Sequence, residues 1–380
     1  MRTHRAVATF AAACAVMGLA ACGDSSSSDS SGGGGSAEKP PPITESKSVG
    51  VTTGPAGETA TPTSALKLTD AEIAKIKEGN YSAAMTWHQS SDFTTAVASG
   101  AQDEFAKLGI KVVAETNANF DAGKQKNDIE TVMAKKPSVM LTLPVDPVTT
   151  ASAYREVTDA GTKLVLLSNV PKGFKQGKDY VTVVTDDLFQ MGKHAADALA
   201  ASIGGEGKIA YFFHDASYYV TNQRDQAFKK TIEANYPKIK IVSEQGVADP
   251  AKAEEQANSV LLKNPDIDGI YVTFSQPPAE GVLSALRNNG NKTAKLVSLD
   301  LSEPLSLDMA RGGNVGALVT DKAYELGQAM AISSAYGLLD KEAPPFIVAP
   351  AVTVTKDNLT EGYEDSLHQA PPKSVAAAVK

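Results

Sequence analysis

From residue 82 onward, short apolar runs of strand character alternate with amphipathic helical stretches, and no arrangement other than parallel βα units reads that way over so long a segment. Strands are predicted over 82–87, 111–114, 139–143, 164–167, 181–184, 209–213, 239–243, 269–273, 296–299 and 315–319. Their near-continuous hydrophobicity predicts sheets buried on both faces. Helices are predicted between them, among them 93–108, 121–135, 191–203, 222–236, 250–263 and 280–288. Asp121, Lys124, Val132 and Pro137 recur as Asp249, Lys252, Val260 and Pro265, each 128 positions on, within the same helix-strand order. Two similar Rossmann-like α/β lobes follow, and ligands of such open sheets bind beyond the carboxyl ends of the strands. Two lobes facing each other make a cleft.

Ahead of this pattern the chain changes character twice. Arg2 and Arg5 precede an apolar stretch, 6–20, too short to span a bilayer, and Leu19-Ala20-Ala21-Cys22 closes it. That ending resembles a bacterial lipobox, which implies cleavage before Cys22, lipid attachment there and a place on the outer face of the cell membrane. Residues 1–21 are thus read as a signal peptide. Residues 22–79 begin with Ser25 to Ser28, Gly32 to Gly35 and Pro40 to Pro42, and with few large apolar side chains they are read as a flexible tether. A short helix near 69–77 is predicted as its lead-in. Loss of Cys14 with the signal leaves one thiol, so no internal disulfide is available and the fold must rest on its core. The formal net charge of -8 argues against nucleic acid as a partner.

Five short motifs, in order and at suitable spacing, carry a family resemblance: Ser99-Gly100-Ala101-Gln102, Leu143-Pro144-Val145-Asp146, Thr185-Asp186-Asp187, Asn222-Gln223-Arg224 and Leu299-Asp300. Over about 82–354 the chain resembles the type I periplasmic binding proteins of the ribose-binding kind, the substrate receptors of ABC importers. The resemblance implies two lobes joined by three crossover strands near 185–187, 320–322 and 348–350. The first lobe would comprise 80–185 and 322–349, the second 186–321 and 350–360, with 361–380 as a tail. It implies a monomeric, lipid-anchored receptor for a sugar or polyol that delivers its ligand to ABC permease subunits, without a cofactor or metal. A sensing role, presenting the ligand to a membrane sensor, is the alternative.

Sugar recognition needs flat aromatic faces for ring C–H groups and charged or amide groups for hydroxyls. Trp87, the only tryptophan, ends the first strand and is expected to stack on the ligand; Phe93 matches a family aromatic with that role. His88 and Asp92 flank this loop, as a hydroxyl donor or surface histidine and as a helix cap. Ser168 and Asn169 stand where the ribose-binding pattern has an acid and an arginine, so ribose itself is doubtful and Asn169 is the expected contact. Asn222 and Arg224 each align with a family arginine; the alternative for Arg224 is an ion pair between lobes or helices. Asp300, a lone carboxylate ending an apolar strand, matches the family aspartate that accepts two hydroxyls, or else caps the next helix. Asp321 takes the place of a family glutamine, or caps the helix after it. Ser275 matches an amide-acid pair with Gln276, although Pro277-Pro278 blur that alignment. Asp146 reads as a cap. No G-x-S-x-G elbow, Walker loop, H-E-x-x-H or paired-cysteine site occurs, so no enzyme class has a motif to stand on.

Overall fold

Short runs such as Ser82–Trp87 (SAAMTW) and Val139–Thr142 (VMLT) carry no charge and are buried along almost their whole length, as strands covered on both faces must be. The computed structural model describes residues 42–379; the expected signal peptide, Cys22 and the first part of the expected tether lie outside the described residues. Its strands are β1 (Thr61–Pro62), β2 (Ser82–Trp87), β3 (Lys111–Asn117), β4 (Val139–Thr142), β5 (Lys163–Leu167), β6 (Val183–Asp186), β7 (Gly207–His214), β8 (Ile239–Val247), β9 (Gly269–Val272), β10 (Lys295–Leu299), β11 (Val315–Thr320), β12 (Phe346–Ala349) and β13 (Val352–Val354). They form two sheets, in the orders β1-β12-β6-β5-β4-β2-β3 and β13-β11-β10-β9-β7-β8. Every pairing is parallel except β13 on β11.

The two sheets repeat one plan, β3-β2-β4-β5-β6 matching β8-β7-β9-β10-β11. The 128-residue offset has a structural basis. Asp121 accepts from Lys124 N at 2.9 Å and starts the helix Ala122–Met133, and Asp249 accepts from Ala251 N at 3.1 Å ahead of Ala253–Lys263. Val132 and Val260 bury the faces of these two helices.

The chain passes between sheets after β6, after β11 and between β12 and β13, so the last strands are exchanged between the lobes. The helix Ala323–Leu338 therefore returns to the first lobe and packs on Asp92–Leu108. Their approach depends on glycine. A Cβ on Gly100 would sit 2.0 Å from the Tyr324 carbonyl oxygen, and one on Gly327 would sit 1.9 Å from that of Val97.

Two expectations are corrected. The tether does not extend to residue 79: from 42 onward the chain lies on the folded body, with β1 extending the first sheet and Leu66 buried. Its low apolar content concealed this, because the segment docks mostly through hydrogen bonds. The helix Asp70–Glu78, capped by Thr69 with Glu72 in a capping box, forms where its signals lie. The tail expected over 361–380 does not trail over its described part, 361–379. Leu359–Leu367 and Lys373–Val379 are helices that bury Tyr363, Leu367 and Val375.

Candidate functional site

The carboxyl ends of β2, β5, β6, β7, β9 and β10 converge on one cavity, contributed by both sheets. His88 and Gln89 follow β2, Ser168 and Asn169 follow β5, and Asp186 ends β6. From the other lobe come His214 at the end of β7, Phe274 to Gln276 beyond β9, and Asp300 after β10. Three of the lining residues, Phe120, Ser168 and Asp300, have φ of 61°, 59° and 67°. Non-glycine residues held there cost about 1–3 kcal/mol each, and such strain gathers at functional sites.

Aromatic rings line the cavity from both sides. Phe120 of the first lobe and Phe274 of the second stand 6.1 Å apart at 32°. His88 meets Phe120 edge-on at 5.2 Å and His214 meets Phe274 edge-on at 5.4 Å, with Tyr218 beyond it. Hydrogen bonds also cross between the lobes: Asp92 N donates to Gln276 Oε1 at 3.2 Å and Gln89 Nε2 to Gln276 O at 3.4 Å.

Arg224 is the cation of the site. The helix Tyr219–Asn235 carries it into the cavity, and it is buried, with Nη1 3.4 Å from Asp186 Oδ2 and 3.9 Å from Asp300 Oδ1. Burial pushes the Asp300 carboxyl up to about 6 despite the pull of Arg224, with Asp186 adding to the rise. Burial, helped by the positive charge of Arg224, lowers His88 to about 3 and His214 to about 4, so both rings are neutral near pH 7. Four buried polar atoms on the lining residues make no hydrogen bond within the protein: His88 Nδ1, Asn169 Oδ1, Arg224 Nε and Asp300 Oδ1. Buried polar groups are costly unless paired. This set mixes acceptor and donor atoms in a lining that also carries aromatic rings, which suits a small molecule rich in hydroxyls.

Of the residues singled out in the sequence, Phe93, Asn169, Arg224, Ser275 and Asp300 line the cavity, as do His88, Ser168 and Gln276, and Trp87, Asn222 and Asp321 do not. Trp87 is 2% exposed and belongs to the core; β2 is buried on both faces, so a large ring at its end turns inward. Asn222 is half-buried beside the cavity, and Arg224 two positions on faces it. Asp321 is fully buried, and neither of its oxygens has a partner. It caps nothing, since the following helix takes Lys322 at its cap with no side-chain bond. Burial first, then Asp186 and Asp300, hold its carboxyl well above the usual range. Asp146 accepts from Val148 N at 3.0 Å and from Thr149 N, in the turn before the helix Ala151–Asp159. Sequence reasoning missed Phe120, Phe274, His214 and Asp186 as lining groups. Their one signal was position, immediately beyond or at strand ends.

Residues 66–343 match the periplasmic binding protein domain model. The D-apiose import binding protein of Actinobacillus succinogenes is 24% identical over 238 residues, 62% of this chain and 74% of that protein. The D-allose-binding periplasmic protein of Escherichia coli K12 is 26% identical over 291 residues, 70% of this chain and 89% of that protein. In fold, the chain is similar to an ABC transporter solute binding protein from Agrobacterium vitis bound with alpha-D-tagatopyranose. That likeness has a TM-score of 0.67 at 23% identity and covers 74% of this chain and 96% of the other.

Proposed function

The chain belongs to the periplasmic binding protein family, and from that premise we propose that it captures a neutral sugar or polyol between its lobes and delivers it to an ABC permease. The observation that carries this is the interlobe cavity, where buried polar atoms without protein partners share one lining with aromatic rings from both lobes. Ligand that touches both lobes has its full contacts only when they are together. That difference in affinity shifts the population toward the closed form, whose surface then docks on the permease. Import is favoured over sensing because the similar proteins are named for import and periplasmic binding. No step of bond making is part of this role.

Cys22 is the lipid attachment point in this reading, and the protein works as a monomer moored at the outer face of the membrane. The Leu19-Ala20-Ala21-Cys22 sequence supports it. Replacing Cys22→Ala is expected to stop acylation and release the protein from the membrane fraction, with ligand affinity unchanged.

Thermal unfolding with a panel of D-apiose, D-allose, D-tagatose, D-ribose and myo-inositol tests the binding role. A ligand at a hundred times its Kd adds about 2.7 kcal/mol to stability, a shift of several degrees. A panel extended across pentoses, hexoses and polyols without any shift would count against it.

A further inference from the structure

We infer that residues 42–66 form a strap, a fourth connection between the lobes, which fastens one to the other. The inference rests on the lobe-closure reading above and adds a device to it.

The strap begins on the second lobe. Ile43 packs against that lobe's apolar cluster. Ser46 N donates to Asp197 Oδ2 at 3.1 Å, and Asn235 Nδ2 donates to Ser46 Oγ and to Lys47 O. Gly50 lies so close to Phe189 that a Cβ there would sit 2.5 Å from the ring. Thr52 Oγ1 donates to Asp187 Oδ1 and accepts from Phe189 N, immediately after the first crossover. Thr53 O accepts from Tyr219 OH and from Gln223 Nε2. That last attachment fastens the start of the helix that brings Arg224 into the cavity.

The chain then turns and fixes itself to the first lobe. Thr53 pairs with Thr59 across a turn closed by Gly54 N to Glu58 O at 2.8 Å. Thr61–Pro62 adds β1 to the edge of the first sheet beside β12, and Thr63 Oγ1 donates to Glu325. Leu66 is buried, and Lys67 exchanges two backbone hydrogen bonds with Tyr336 OH at 3.1 and 2.9 Å.

Slack is what makes this a device. Eight residues from Thr53 to Thr61 reach about 27 Å when extended, but the Thr53–Thr59 pairing removes most of that length. From Thr59 the remaining two residues reach only about 7 Å. Lobe motion that carries β1 farther than this from Thr53 must therefore unzip the turn or pull Thr52 and Thr53 from the second lobe.

The test uses the mature chain carrying Cys22→Ser, spin-labelled at Asn127→Cys and Glu255→Cys, which stand 128 positions apart at matching places in the two lobes. A site-specific protease site inserted after Ala56, in the exposed turn, is cut once the protein has folded. Pulsed electron resonance then gives the interlobe distance in unliganded protein, before and after cutting. Cutting is expected to lengthen it by more than one extended residue, about 3.3 Å. An uncut Gly50→Leu variant, which cannot seat against Phe189, is expected to shift it the same way. The Gln276→Ala variant, which removes the Asp92 N to Gln276 Oε1 hydrogen bond between the lobes, reports whether the lobes part at all. A longer distance in Gln276→Ala but none after cutting or in Gly50→Leu overturns the strap alone. No change in any of the three, and none in the uncut protein when the sugar and polyol panel is added, overturns lobe closure as well.

Discussion

Arg224 of the second lobe holds its Nη1 3.4 Å from Asp186 Oδ2 at the end of the first sheet's β6, so the cation of the cleft is anchored across the lobe boundary. Asp300, on its other side, is 3.9 Å away. One guanidinium thus serves two carboxylates, with Asp321 also buried within their field. Removing it with Arg224→Met strands those carboxylates in the interior. A loss of about 3–5 kcal/mol is expected at pH 7, read as a lower urea midpoint. The loss should be smaller at pH 5, where the Asp300 carboxyl, raised by burial, is neutral more of the time.

Asp321 gives a pH signature. Its folded carboxyl titrates well above the unfolded value of about 3.8. Its contribution to stability is therefore full below about pH 4 and is lost as pH rises through the folded value. His88 and His214, lowered to about 3 and 4, act with the opposite sign, losing stability as pH falls below about 6.5. They are common to wild type and Asp321→Asn, so their titration cancels in the difference between the two. The variant should gain on wild type as pH rises from 4 to 8, by up to about 1.4 kcal/mol per pH unit. Urea titrations across that range check it, and a flat difference contradicts it.

Trp87 and Phe274 should separate core from contact. Trp87→Phe is expected to leave ligand affinity within about twofold. Its stability effect should stay below about 2 kcal/mol, because the cavity it leaves is set against removal of a buried Nε1–H without partner. Phe274→Ala removes a face of the cavity, and affinity should fall about three- to tenfold. Calorimetric titration of both variants with whichever sugar binds the wild type decides it.

Gly100 tests the packing that carries the exchanged helix. Gly100→Ala places a methyl against the Tyr324 carbonyl, where the nearest approach is 2.0 Å and the obstacle is backbone. Overpacking of this kind costs about 1–3 kcal/mol, and a lowered melting temperature with unchanged secondary structure is expected.

Much of this was legible in the sequence, for physical reasons. Strands buried on both faces leave unbroken apolar runs, and a duplicated plan leaves capping aspartates at a fixed offset, so the two-lobed fold could be read before any coordinate. Asp300 and Arg224 are singled out through the Leu299-Asp300 and Asn222-Gln223-Arg224 motifs of the family resemblance, since a charge at a strand end or near a helix start can equally be a cap or an ion pair. Phe120 and Phe274 could not be read, since an aromatic in a loop gives no period that says which way it faces. Trp87 misled for the related reason that its strand has no solvent face. The strap was hidden because Gly50, Thr52 and Thr53 dock through close approach and hydrogen bonds, which composition does not record.

The most direct test of a neutral polyhydroxyl ligand in this cleft is calorimetric titration of wild type and Asp300→Asn with the sugar and polyol panel. At least one member should bind the wild type one to one, and Asp300→Asn should weaken it by roughly 10- to 100-fold, the loss of a charged hydrogen bond. No binding by any member, or a sugar that binds the variant as tightly as the wild type, would contradict it.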